Sequence, residues 1–261
     1  MPIAGGLWYE WAGNPDGEVL VLSAGLGGSA SYWQPNLAEM GQDYRLLLYD
    51  HRGTGRSDRT LPDVVTVDDF ADDIVTLLDA TGTERAHVMG HAAGAVAGLA
   101  LALRAPTRIG KLVAVNGWAT PDPHFARCFD ARLALLRNSK AEAYLAAQPI
   151  FLFPAAWISE HHEELEAERV HQLAGFAGAE SYEKRIAALR AFDIADRLGE
   201  ITTTVLALAS RDDMLMPWTA SQRLVAGLPN AALAVMEWGG HACNVTDPAT
   251  FDALVLDFLR S

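Results

Sequence analysis

Short apolar runs recur along the chain, separated by stretches of helical spacing. Val19–Leu22, Arg45–Tyr49, Ala86–Met89, Leu112–Val115, Val205–Ala209 and Ala232–Met236 are such runs, each of strand length and bounded by turn-forming residues. Several are apolar at consecutive positions, which is what strands buried on both faces of a parallel sheet require. Between them, Val67, Phe70, Ile74, Leu77 and Leu78 fall on one helix face. Thr66 stands before that helix as its N-cap with Asp69 three residues on, and Gly82 follows its end. Phe251–Leu259 shows the same spacing near the C-terminus. Strand–helix alternation on this scale predicts an α/β fold, a mostly parallel sheet with helices on both faces.

The alternation stops between about Thr120 and Arg197. That stretch is helical in pattern and carries a bulky segment, Gln148-Pro149-Ile150-Phe151-Leu152-Phe153-Pro154. Sheet-forming regions flank it, so the expected organisation is a core from residues 1–119 and 198–261 with a helical cap, 120–197, inserted. Such a cap would roof a site at the carboxyl ends of the strands, where open α/β sheets bind ligands.

Composition narrows the function classes. A chain of 261 residues suits one large domain. A formal net charge of −13 argues against a nucleic-acid partner, which needs a basic face. The two cysteines, Cys128 and Cys243, form no C-x-x-C pair or spaced metal set, so two reduced thiols are expected, and neither a metal nor another cofactor. Met1–Gly6 lacks a basic region followed by an apolar one, and Ala95–Leu103 is too short to span a bilayer. The expectation is a cytoplasmic protein with a small-molecule substrate and no membrane partner; a homodimer is left open.

Four segments carry candidate chemistry. Gly90-His91-Ala92-Ala93-Gly94 follows the strand Ala86–Met89, with small residues two positions either side of Ala92. A strand turning sharply into a helix strains its apex residue and needs those small neighbours. Ser23-Ala24-Gly25-Leu26-Gly27-Gly28 follows an earlier strand. In a fold with such an elbow this loop gives one oxyanion-hole N–H, here that of Leu26, and Ala93 gives the other. Asp213 lies beyond Val205–Ala209, four residues before Pro217, with Asp212 a close competitor. His241, in Gly239-Gly240-His241, lies beyond Ala232–Met236. Elbow, acid and histidine in that order define the α/β-hydrolase arrangement, but the apex is alanine where an esterase has serine.

Other motifs are weaker. Asp50-His51-Arg52-Gly53-Thr54-Gly55-Arg56-Ser57-Asp58 resembles the D-x-R-G-x-G-x-S segment of α/β-hydrolases, and we read it as structural, Asp50 and Arg52 holding the loop. Gly25-Leu26-Gly27-Gly28-Ser29-Ala30 fits a dinucleotide fingerprint, yet Pro35, Tyr32 and Trp33 spoil the helix that should follow. His161-His162-Glu163-Glu164 lacks the second histidine of H-E-x-x-H, because position 166 is Glu166. Arg127 and Arg132, early in the cap, are candidates for meeting a small anion.

Asn116-Gly117-Trp118, Arg127-Cys128-Phe129, Gln148–Leu152 with Pro154 and Trp157, and Gly239–Pro248 together resemble the RutD family. Those proteins are α/β-hydrolases of the bacterial Rut pathway of pyrimidine breakdown. The resemblance spans nearly the whole chain, cap included, and implies alanine as the family's own apex residue. It also implies a role in uracil nitrogen catabolism, with carbamate, or by another proposal aminoacrylate, as the hydrolysed species. Gly25, Asn116, Trp118 and Arg127 are then the expected substrate-binding residues. Without an apex hydroxyl no acyl-enzyme forms, which leaves His241, oriented by Asp213, as a general base toward water. The alternatives are a cofactor-free lyase or oxygenase using the same base, and a binding protein that has lost turnover.

Overall fold

The computed structural model describes residues 2–261, which form an eight-stranded sheet in the order β1-β2-β4-β3-β5-β6-β7-β8. The strands are β1 (Ile3–Ala4), β2 (Leu7–Gly13), β3 (Val19–Ser23), β4 (Arg45–Tyr49), β5 (Ala86–His91), β6 (Ile109–Val115), β7 (Thr204–Ser210) and β8 (Ala231–Met236). From β4 to β8 every pairing is parallel; β1 and β2 run antiparallel at one edge. All six runs picked from the apolar pattern are strands here.

Consecutive apolar residues are used on opposite faces. Val21, Leu47, Tyr49, Leu112, Ala114, Val205 and Ala207 enter one core cluster, and Leu20, Leu22, Leu46, Leu48, Val113, Val115, Leu206 and Leu208 the other. Ten helices cover the described sheet and its loops: α1 (Leu37–Asp43), α2 (Val67–Ala80), α3 (Ala93–Arg104), α4 (Pro123–Leu152), α5 (Ala155–Glu160), α6 (His162–Ala174), α7 (Ala179–Ala191), α8 (Trp218–Gly227), α9 (Cys243–Thr246) and α10 (Pro248–Arg260). Core residues of α2 and α3 belong to the first cluster, those of α1 and α10 to the second. The reciprocal capping box at Thr66 and Asp69 starts α2.

The helices α4 to α7 stand between β6 and β7. α4 breaks at Lys140, whose φ of 64° is outside the helical region. Its first segment buries Phe125, Cys128, Phe129 and Arg132, one stripe at helical spacing, of which Phe125, Phe129 and Arg132 line the cavity of the candidate site. The glycine-rich loop after β3 leads into a 3-10 helix, Ala30–Asn36, with Pro35 inside it, not into the long α-helix that a dinucleotide site requires. Asp50 accepts from the Ala30 and Arg56 N–H groups, each at 2.9 Å, and Arg52 pairs with Asp73 at 2.7 Å, so the D-x-R-G segment ties loops together as expected. No helix among the described residues is long and apolar enough to cross a membrane.

Candidate active site

β5 ends in a hairpin-sharp turn into α3, and Ala92 takes its apex with φ 47° and ψ −97°. That conformation is costly for a residue with a Cβ, and it persists because the surroundings over-determine it. A Cβ on Gly90 would lie 2.2 Å from the Gly94 backbone, and one on Gly94 2.2 Å from the Ser23 carbonyl oxygen. Strand and helix therefore approach as closely as glycine permits, and Ala92 lines the cavity that also holds His241.

His241 is held from several sides. Its Nδ1–H donates to Asp213 Oδ2 at 2.7 Å, and both side chains are almost wholly buried. Its carbonyl accepts from Asn116 Nδ2 at 2.6 Å and from His91 Nε2 at 2.9 Å. The next residue, Ala242, donates its N–H to the Leu152 carbonyl of the helical insert at 2.9 Å. With Nδ1 protonated toward the carboxylate, Nε2 keeps its lone pair and can take a proton.

The competing aspartates have separate duties. Asp213 Oδ1 accepts from the Leu215 and Met216 N–H groups at 2.7 and 2.9 Å, leaving Oδ2 to the imidazole. Asp212 accepts from Ser210 Oγ at 2.6 Å and from the Gly240 N–H at 2.9 Å, so it braces the histidine loop without touching the ring. Burial pushes the pKa of His91 well below the usual range, and the neighbouring His241 adds to this. Cys243 is buried and its thiol pKa is pushed up, mainly by burial and then by Asp213, which makes it a poor nucleophile.

The glycine-rich loop faces this centre. The Gly28 N–H closes on the Gly25 carbonyl at 3.0 Å. The N–H of Leu26 donates to no other group of the described chain, and that of Ala93, first in α3, has no acceptor within the helix. These are the two donors expected of an oxyanion hole. The loop is anchored from the insert: Arg185 of α7, fully buried, donates Nη1 to the Leu26 carbonyl at 2.5 Å and Nη2 to His51 Nδ1 at 2.9 Å. His51 then reaches Ser23 Oγ through Nε2 at 3.2 Å. Burial lowers the Arg185 pKa to about 10, which still leaves it charged.

Gly25, Leu26, Ala92, Trp118 and His241 line one cavity of about 600 Å³, whose walls include Phe125, Phe129 and Arg132. Two expected substrate contacts need correction. Asn116 is completely buried behind the site and does not line the cavity; with φ 52°, a region asparagine tolerates, it positions the His241 backbone. Arg127 is exposed and lines nothing, because it falls off the buried stripe of α4; Arg132 is the arginine on that stripe. His162, Glu163 and Glu164 are exposed at the start of α6. Arg185 was not singled out from the sequence, where Glu183-Lys184-Arg185 looks like an ordinary charged helix face.

A parallel sheet with this elbow, acid and histidine defines an α/β-hydrolase, and residues 18–248 match the alpha/beta hydrolase fold family. The chain belongs to that family and, within it, to the RutD group. It is 54% identical to a protein of Caulobacter sp. (strain K31) over 97% of this chain and 96% of that one, and 51% identical to one of Variovorax paradoxus (strain S110) over 97% and 96%. Both are provisionally named carbamate hydrolase RutD. Among solved structures it resembles a hydrolase from Pseudomonas aeruginosa PA01, with a TM-score of 0.88 at 28% identity, covering 98% of this chain and 94% of that one. It also resembles an enol-lactonase from Burkholderia xenovorans LB400, with a TM-score of 0.88 at 25% identity, covering 99% and 98%.

Proposed function

We propose that the chain hydrolyses a carbon–nitrogen bond of a small substrate in uracil nitrogen catabolism, carbamate before aminoacrylate, without a serine nucleophile. One observation carries this reading: a strained apex bearing only a methyl faces a complete Asp213–His241 pair. An apex without oxygen cannot be acylated, so the base must act on water or on the departing nitrogen. The names of the relatives support the choice of substrate.

In this mechanism the carbamate carbonyl oxygen takes the Leu26 and Ala93 N–H groups, and water stands where a serine oxygen would. His241 Nε2 removes a proton from that water as its oxygen bonds to the carbamate carbon. Negative charge gathers on the oxygen facing the two N–H donors. The C–N bond then breaks as the imidazolium returns its proton to the nitrogen, giving ammonia and bicarbonate from carbamate and one water. Asp213 keeps the tautomer correct and stabilises the transient imidazolium.

The test is ammonia release from freshly prepared carbamate, and from aminoacrylate, with and without the enzyme. Acceleration that disappears in His241→Ala supports the reading. No acceleration of either substrate overturns it.

A further inference from the structure

We infer that Arg132 is a carboxylate-recognising subsite of the cavity, so that its ligand is an anion held through a carboxylate. This deepens the hydrolase reading by naming the group that orients the substrate.

Arg132 is 3% exposed yet lines the cavity. Its Nη2 donates to the Tyr144 hydroxyl at 2.9 Å and to Gln148 Oε1 at 2.5 Å. Nη1 makes no hydrogen bond within the described chain, and Nε is buried without a partner. No carboxylate lies within ion-pairing distance among the described residues. The guanidinium instead lies 4.8 Å from the Phe129 ring centroid, with Tyr144 and Phe151 at 5.4 and 5.6 Å.

Arginine cannot escape such a position by losing its proton. A buried charge normally has a counter-ion, and the protein supplies only aromatic faces and neutral acceptors. The other arginine on the cavity wall, Arg169, is already paired with Glu166 at 2.7 Å. Arg185 is satisfied by a carbonyl and an imidazole and does not line the cavity. Arg132 is thus the unpaired cation of the described wall, with apolar Trp118, Phe125 and Phe129 around it. A small carboxylate with little other polarity fits those surroundings.

Calorimetric titration with propionate and with propionamide, its neutral counterpart of the same shape, tests the charge requirement. Wild-type protein should bind propionate at least tenfold more tightly. Arg132→Met should erase the preference. Arg132→Lys, which keeps the charge, should retain part of the preference and covers the case in which the methionine variant does not fold. An absent preference in the wild type, or an intact one in Arg132→Met, overturns the subsite.

Kinetics separate this from the hydrolase reading. KM for carbamate and for aminoacrylate should each rise about 10- to 100-fold in Arg132→Met, the scale of a lost charge-assisted hydrogen bond. A rise for one of them alone identifies that carboxylate as the one Arg132 holds. Propionate preference without turnover by either substrate overturns the hydrolase reading and supports the subsite. Turnover in which KM and propionate binding ignore Arg132 does the reverse.

Discussion

At the scale of single residues, Ala92 joins strained geometry to missing chemistry. Its φ of 47° is the conformation that an elbow nucleophile needs, but no oxygen is attached. Ala92→Ser restores a hydroxyl beside His241 and the two N–H donors. Fluorophosphonate probes should leave the wild type unlabelled and label the serine variant, read by intact mass; equal labelling of both proteins would expose a different nucleophile. Ala92→Val should cost stability on the order of 1–3 kcal/mol, because β-branching aggravates the strained backbone, and should also crowd the water site. Survival of full turnover in that variant would rule out the proposed water position. For the acid–base pair, His241→Ala should slow turnover by about 10²–10⁴-fold. Asp213→Asn should be more damaging than Asp212→Asn, since only Asp213 meets the imidazole. A larger kcat loss from Asp212→Asn would mean that bracing the loop outweighs orienting the ring.

At the scale of elements, legibility followed burial pattern. β3 to β7 were visible because strands covered on both faces are continuously apolar, β8 because that half-buried edge strand is apolar throughout, and α2 because its N-cap, stripe and C-terminal glycine agree. β1 and β2 were missed. They form an antiparallel edge whose Leu7–Gly13 residues grade from buried to exposed, and the available signal was the Gly5-Gly6 turn, both at positive φ. The elbow, Asp213 and His241 could be placed because chain order and strand ends constrain them. Arg132 was legible only as half of a choice, since the stripe that selects it over Arg127 depends on which way α4 faces. Arg185 left no signal, because its partners, Leu26 and His51, are far away in sequence. That contact ties α7 to the glycine-rich loop that carries the proposed Leu26 donor. Arg185→Met should therefore lower kcat at least about tenfold with a smaller change in KM, because a loosened donor weakens transition-state stabilisation more than ground-state binding. A change confined to KM would show that Arg185 acts on binding alone.

At the scale of the whole molecule, the chain carries 33 Asp and Glu residues and buries Asp50, Asp73, Asp213 and Asp252 among them. A buried carboxylate makes stability respond to pH. Asp252 on α10 is 3% exposed and accepts from Asn36 Nδ2 at 2.7 Å, joining α10 to the 3-10 helix after β3. Burial raises its pKa from 3.8 to about 6, the Asn36 hydrogen bond opposing the shift only in part. The folded protein thus binds the Asp252 proton more tightly than the unfolded chain does. The stability this contributes is complete below the unfolded value, declines as pH rises from about 4 to about 6, and is gone above that. Asp252→Asn keeps an amide oxygen to accept from Asn36 and removes the titration. Its Tm should therefore move upward relative to wild type as pH rises from about 4 to about 6, and the gap should level off above pH 6. Thermal unfolding of both proteins across that range, at fixed ionic strength, reads the difference directly and cancels titrations common to the two. A gap independent of pH would mean that Asp252 holds its proton no more tightly in the fold than in the unfolded chain. The seam between α10 and the 3-10 helix would then tolerate a carboxylate without penalty.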